Sequence, residues 1–143
     1  MLTSTEKLDN LLLNFIKSTS GVEGAALISP DGLPLATNLP QSMDEERVAA
    51  ISAAMLSLAE RISNELERGD VERVFVEGDL GYGILTNCGE DAVLLVLASK
   101  AAKQGMLLLA IKKTIAALKQ VLNGAAAESQ NADNQNLRSI MRL

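Results

Sequence analysis

From Asp44 to Gly69 the chain meets neither proline nor glycine until its last residue, and then turns straight into Val71-Glu-Arg-Val-Phe-Val-Glu77, a strand-like run. This helix-then-strand unit constrains the rest of the fold. At 3.6 residues per turn, Val48, Ile51, Met55, Leu58, Ile62 and Leu66 form one apolar face, wide enough to lie on a sheet. A flatter stripe of Ala49, Ser52, Ala53 and Leu56 lies beside it, with Ala50, Ala54 and Ser57 further round. Small side chains let a second backbone come close, so the expectation is a helix that rests on its own sheet through the large residues and offers the small flank to another chain. The plainer alternative is that alanine, the best helix former, is simply tolerated on a solvated face.

The unit's edges are marked. Ser42 or Asp44 can cap the first turn, and Asp44, Glu45 and Glu46 stand where the helix dipole favours negative charge. Gly69 is the expected stop, since a helix end commonly needs a left-handed residue. Arg61 and Glu65, one turn apart, have the spacing of a surface ion pair worth about 0.3 kcal/mol.

Several function classes are excluded by what the chain lacks. It has 143 residues, enough for one core, with 48% hydrophobic and 22% charged residues. Phe15, Phe75 and Tyr82 are its whole aromatic complement, too few for a base-stacking platform, and a net charge of -5 opposes tracking along phosphates. Nucleic acid is therefore not an expected partner. With no histidine and a single cysteine, Cys88, the chain cannot build a zinc centre, a histidine-based triad or an internal disulfide. Cys88 falls in a strand and reads as a small core residue. The first residues, Met1-Leu-Thr-Ser-Thr-Glu-Lys, do not resemble a secretion signal. The apolar runs Ala92 to Ala98 and Met106 to Ile111 fall far short of the ~20 residues that span a bilayer, so no membrane insertion and a cytoplasmic location are expected.

In chain order, Thr3 and Glu6 have capping-box spacing ahead of a helix from Ser4 to Ser18, with Leu8, Leu11, Leu12, Phe15 and Ile16 as its buried stripe. Val22 to Ser29 and Leu33 to Thr37 flank Pro30-Asp31-Gly32 as a hairpin. After the long helix, Val71 to Glu77, Leu80 to Asn87 and Ala92 to Ala98 read as three strands. Glu72, Arg73 and Glu77 give the first of these the charge of an edge strand, whereas Ala92 to Ala98 is apolar throughout and belongs mid-sheet. A last helix runs from about Lys103 to Leu122, with Leu108, Ile111, Ile115, Leu118 and Leu122 facing inward. Residues 1–122 thus form the expected domain, and 123–143 read as a polar linker and flexible tail, too poor in apolar surface to fold alone. Within the tail Leu137, Ile140 and Met141 share a helical face beside Arg138 and Arg142. The expected class is α+β: an antiparallel five-stranded sheet in the order α-ββ-α-βββ-α, helices on both faces, and the Val71 strand at an edge.

Gly78-Asp-Leu-Gly81-Tyr-Gly83 is glycine-rich, but no lysine-serine or helix follows it, so it reads as a strand turn and not as a phosphate loop. The paired carboxylates Glu45-Glu46 and Glu90-Asp91 lie at a helix start and a turn, with no arrangement for acid-base work. No catalytic, metal or cofactor residue is therefore assigned.

From about Lys7 to Leu122 the chain resembles the Roadblock family, the dynein light-chain Roadblock and Ragulator-scaffold type of domain. The resemblance rests on Gly21-Val-Glu-Gly24-Ala-Ala-Leu-Ile-Ser-Pro-Asp-Gly32-Leu-Pro-Leu-Ala36, on the Ala-rich helix ending Glu65-Leu-Glu-Arg-Gly69, and on Val76-Glu77 with the strands that follow. It implies a profilin-like layered fold, no catalytic residue, and a small homo- or heterodimer joined through the edge strand and long helix. It also implies the company of small Ras-like GTPases, some members acting as activators or co-regulators of a polarity or motility GTPase. The partner interface expected on these grounds is Ala49, Ser52, Ala53, Leu56 and Ser63 of the helix with Val71, Arg73 and Phe75 of the strand. A passive scaffold or light-chain-like subunit, and a ligand-sensing domain with a polar-lined pocket, are the alternatives.

Overall fold

The computed structural model describes residues 1–141. Helix α1 (Ser4–Ser18) opens with the full capping box: Thr3 Oγ1 accepts from the Glu6 amide at 3.1 Å, and Glu6 Oε2 accepts from the Thr3 amide at 3.3 Å. Strands β1 (Val22–Ile28) and β2 (Pro34–Asn38) follow, then α2 (Glu45–Glu65), β3 (Arg73–Glu77), β4 (Gly81–Asn87), β5 (Val93–Ser99) and α3 (Gln104–Met141). The five strands form one antiparallel sheet in the order β2-β1-β5-β4-β3. β1 and β5 sit side by side near its centre and β3 lies at an edge, as the charge pattern implied.

Alternation along the central strands divides the interior into two layers. Ala25 and Leu27 of β1, Ile84 of β4, and Leu94, Val96 and Ala98 of β5 face α1 and α3, where they pack with Leu8, Leu12, Phe15, Leu107, Ile111, Ile115 and Leu118. Ala26 and Ile28 of β1, Leu85 of β4, and Val93 and Leu95 of β5 face α2. Burial on both sides explains why residues 25–28 of β1 and 93–98 of β5 are apolar without a break.

Two expectations are corrected. The last helix does not end near Leu122 but continues to Met141, about 57 Å in all at 1.5 Å per residue. Gly124 is its only breaker after Leu122; Ala125, Ala126 and Ala127 are strong helix formers and no proline follows. Poverty in apolar residues limits packing, not helicity, and Asp133 to Arg138, Ile140 and Met141 are all exposed. Arg142 and Leu143, part of the expected tail, lie outside the described residues. No described helix is long and apolar enough to cross a membrane.

The second correction concerns which face of α2 meets the sheet. Ala49, Ser52 and Leu56 are the buried ones, at 1%, 5% and 8% exposure, whereas Ile51, Leu58, Ile62 and Leu66 are all more than half exposed. The small flank is the inner one, and of the large face expected to meet the sheet only Val48 and Met55 pack, half-buried, against the same layer. The sheet beneath already carries Ile28, Leu85, Val93 and Leu95, and large residues from the helix would hold it away. The hairpin turn also presses in from the side: a Cβ at Gly32, where φ is +87°, would stand 3.3 Å from Ala50 Cα and 3.5 Å from Ala53 Cβ. Close seating selects small volume over hydrophobicity.

Candidate partner interface

The site begins at the two ends of α2. Asp44 caps its start, Oδ1 accepting from the amides of Glu46 at 3.1 Å and Arg47 at 3.3 Å. At its other end the left-handed residue is Glu67 (φ 56°), ahead of the expected Gly69, which is left-handed as well (φ 86°). The Glu67 amide donates to Asn64 O at 3.1 Å and the Arg68 amide to Ser63 O at 2.8 Å, the paired bonds of a Schellman ending. Ser63 Oγ then donates to Gly69 O at 2.6 Å, and Asn87 Nδ2 donates to Val71 O at 2.7 Å. These bonds fix the turn, and so set the angle at which β3 leaves the helix.

Among the described residues β3 pairs only with β4, from Arg73↔Thr86 to Glu77↔Tyr82. Its outer backbone groups have no partner in the sheet and must bond to water or to another chain. Along this edge a groove is lined by Ile62, Ser63 and Leu66 of α2 and by Val71, Arg73 and Phe75. On the sheet face away from α2, the Phe75 and Tyr82 rings meet at 5.3 Å and 52°. Lys100 Nζ lies 5.0 Å from the Tyr82 ring centroid and 3.4 Å from Glu77 Oε2.

Of the residues expected at an interface, Ser63, Val71, Arg73 and Phe75 therefore do come together. Ala49, Ser52 and Leu56 do not join them; they are spent on the chain's own core, and half-buried Ala53 lies beside the Gly32 turn. Ile51, Leu58, Ile62 and Leu66, which the sequence placed against the sheet, are exposed on the outer side of α2, and Ile62 and Leu66 line the groove along β3. Nothing in the helix's own periodicity separates the two faces. The signal that could have done so was the sheet layer of large side chains waiting beneath it. The Gly78–Gly81 segment is the turn between β3 and β4, closed by the Gly78 amide donating to Gly81 O at 2.9 Å.

A five-stranded antiparallel sheet with one helix on one face and two on the other is the layered architecture that Roadblock/LC7 domains and profilins share. The Roadblock/LC7 domain model matches residues 8–98, and the chain belongs to that family. Among its relatives, the uncharacterized protein MJ1340 of Methanocaldococcus jannaschii is 32% identical over 112 residues, 78% of this chain and 96% of that protein. Among solved structures, Myxococcus xanthus MglB shares the fold with a TM-score of 0.79 at 18% identity, over 87% of this chain and 93% of its own. An MglB structure with a tetrameric arrangement gives 0.77 at 19% identity, over 87% and 94%.

Proposed function

We propose that this protein is a non-enzymatic, dimeric interaction module that binds and regulates a small Ras-like GTPase. The observation that carries the reading is the exposed apolar face of Ile51, Leu58, Ile62 and Leu66, of which Ile62 and Leu66 share a groove with the unpaired edge of β3. Scattered apolar residues are ordinary on a surface, but a contiguous patch marks a contact site. Pairing of two β3 edges would satisfy their orphan backbone groups and bring two α2 helices together on one side of a continuous sheet. The tetrameric arrangement of MglB, a protein of the same fold, supports self-association of this chain.

Regulation needs no catalytic group of the module's own. A dimer that prefers one conformation of the GTPase's nucleotide-gated loops shifts their equilibrium by its differential affinity alone. The test is light scattering on the wild type and Leu58→Glu, followed by capture of Ras-like GTPases from the same source loaded with GTP or GDP. The wild type is expected to be a dimer at micromolar concentration, Leu58→Glu a folded monomer, and capture to depend on the nucleotide. A monomeric wild type would overturn the dimer, and capture indifferent to nucleotide or absent would leave the passive-scaffold reading in its place. Leu56→Glu is unsuitable, since Leu56 belongs to the core.

A further inference from the structure

Charge is segregated along the chain. Five lysines and no carboxylate lie between Asp91 and Glu128, although the net charge is -5. α2 and the turn after it hold the opposite balance, with Glu45, Glu46, Glu60, Glu65, Glu67 and Asp70 against Arg47, Arg61 and Arg68. α1 and α3 pack on one side of the sheet and α2 on the other. The molecule therefore has a basic face and an acidic one, with Lys7 and Lys17 of α1 set against Glu6 and Asp9 beside the lysines of α3. We propose that the outer side of α3, with the seam it forms against α1, is a docking surface for an anionic phospholipid bilayer. The contact is adsorption and not crossing, and it lies on the side of the sheet opposite α2, so it does not depend on the partner interface above.

Met106, Leu109, Lys113, Ala116 and Gln120, spaced by three and four residues, share the outer stripe of α3. All are exposed, Met106 at 68% and Leu109 at 56%. Lys112 and Lys119 flank the stripe, and Lys103 stands at its start beside the seam. Among the described residues the one ion pair is Lys100–Glu77, so these lysines are uncommitted. Large apolar side chains set between such cations are the pattern of a helix at a lipid interface, where lysine stems lie on the apolar surface and their heads reach phosphate. The seam repeats the pattern in two cavities, one of about 420 Å³ lined by Lys7, Leu11 and Val121 among others, one of about 330 Å³ lined by Ser18, Lys103 and Met106 among others. Among the described residues neither is lined by a carboxylate. An extended acidic peptide fits this face less well, because the flanks of a helix offer it no unpaired main-chain groups. Nor does the acidic side cancel the attraction. It lies beyond the sheet, more than a helix diameter of about 10 Å away, and exposed charges are screened over about 8 Å at physiological ionic strength.

The test is co-sedimentation of the full chain with vesicles. At about 50 mM salt the wild type is expected to bind bilayers of equal parts phosphatidylglycerol and phosphatidylcholine about tenfold or more tightly than pure phosphatidylcholine, and about 500 mM salt should release it. Lys112→Gln/Lys113→Gln is expected to bind about twentyfold more weakly, at roughly fivefold per lysine. Arg47→Gln/Arg61→Gln, which removes the same charge from the acidic side, should bind as the wild type does. Met106→Ser/Leu109→Ser should weaken binding about fivefold with every charge in place. The chain has no tryptophan, so Met106→Trp supplies a reporter whose emission should shift to the blue on the charged vesicles and stay unchanged with inorganic phosphate. Should a variant fail to fold by circular dichroism, the wild type's preference for charged vesicles and its release by salt still decide. Equal binding to both vesicle types, no sedimentation with the charged ones, or a Lys112/Lys113 variant no weaker than the Arg47/Arg61 one overturns the proposal. Binding to polyglutamate as tight as to vesicles and unaffected by Met106→Ser/Leu109→Ser overturns it as well, in favour of an acidic protein.

Discussion

Cys88 lies beyond the end of β4, 1% exposed, with its Sγ 4.0 Å from the carbonyl oxygen of Ile115. Burial pushes its thiol up from 9.0 to about 11, and the Lys119 cation pulls it partly back. Because the folded value is raised, the neutral thiol is the form the fold accommodates. Its contribution to stability is whole below pH 9 and is lost as pH rises through about 11. The urea midpoint of the wild type should therefore fall more steeply across this window than that of Cys88→Ala, and a thiol reagent near neutral pH should label Cys88 only after unfolding; equal slopes would show that burial does not govern the thiol. The sequence disclosed this residue's burial through its type alone, for Cys88 stands one residue past the strand in which it was expected. It disclosed the Thr3–Glu6 box because both partners sit within one turn. Glu67 was opaque: a non-glycine residue in the left-handed region costs about 1 kcal/mol, and only the bonds from Glu67 and Arg68 back into α2 explain its tolerance.

The elements were legible wherever local pattern and burial coincide. β1, β5 and α1 follow that rule, and the hairpin's Pro30-Asp31-Gly32 fixed where two strands divide. α2 and the end of α3 departed from it, because which side of a helix faces home depends on the space left by the sheet, and helicity does not need a packing partner. The departure at α2 has a measurable consequence. Ala49→Leu adds volume between helix and sheet and should destabilise the fold by about 1 to 3 kcal/mol. Ile62→Glu, on the outer face, should change the stability of the monomer by no more than about 0.5 kcal/mol. Urea unfolding at a concentration low enough to separate any dimer distinguishes them, and the reverse order of effects would restore the large residues to the inside.

At the scale of the molecule, the sheet and its three helices divide into a part that is packed and a part that is not. The family match ends at residue 98, inside β5, yet Leu107, Ile111, Ile115 and Leu118 of α3 are as deeply buried as the sheet itself, so the structural domain outruns the match. The groove between α1 and α3 is lined as far as Gly124 and Ala125. Asp133 to Arg138, Ile140 and Met141 lie exposed beyond it. A chain ending at Ala126 should accordingly keep its melting temperature within about 2 °C, given that 1 kcal/mol moves a domain of this size by roughly 4 °C. It should also keep whatever self-association the full chain shows, because β3 and the outer face of α2 are elements the cut leaves whole. A drop well beyond that, or dissociation of the shortened chain, would mean that the last turns of α3 contribute contacts of their own, and the domain boundary would then have to move from the neighbourhood of Leu122 to the end of the helix.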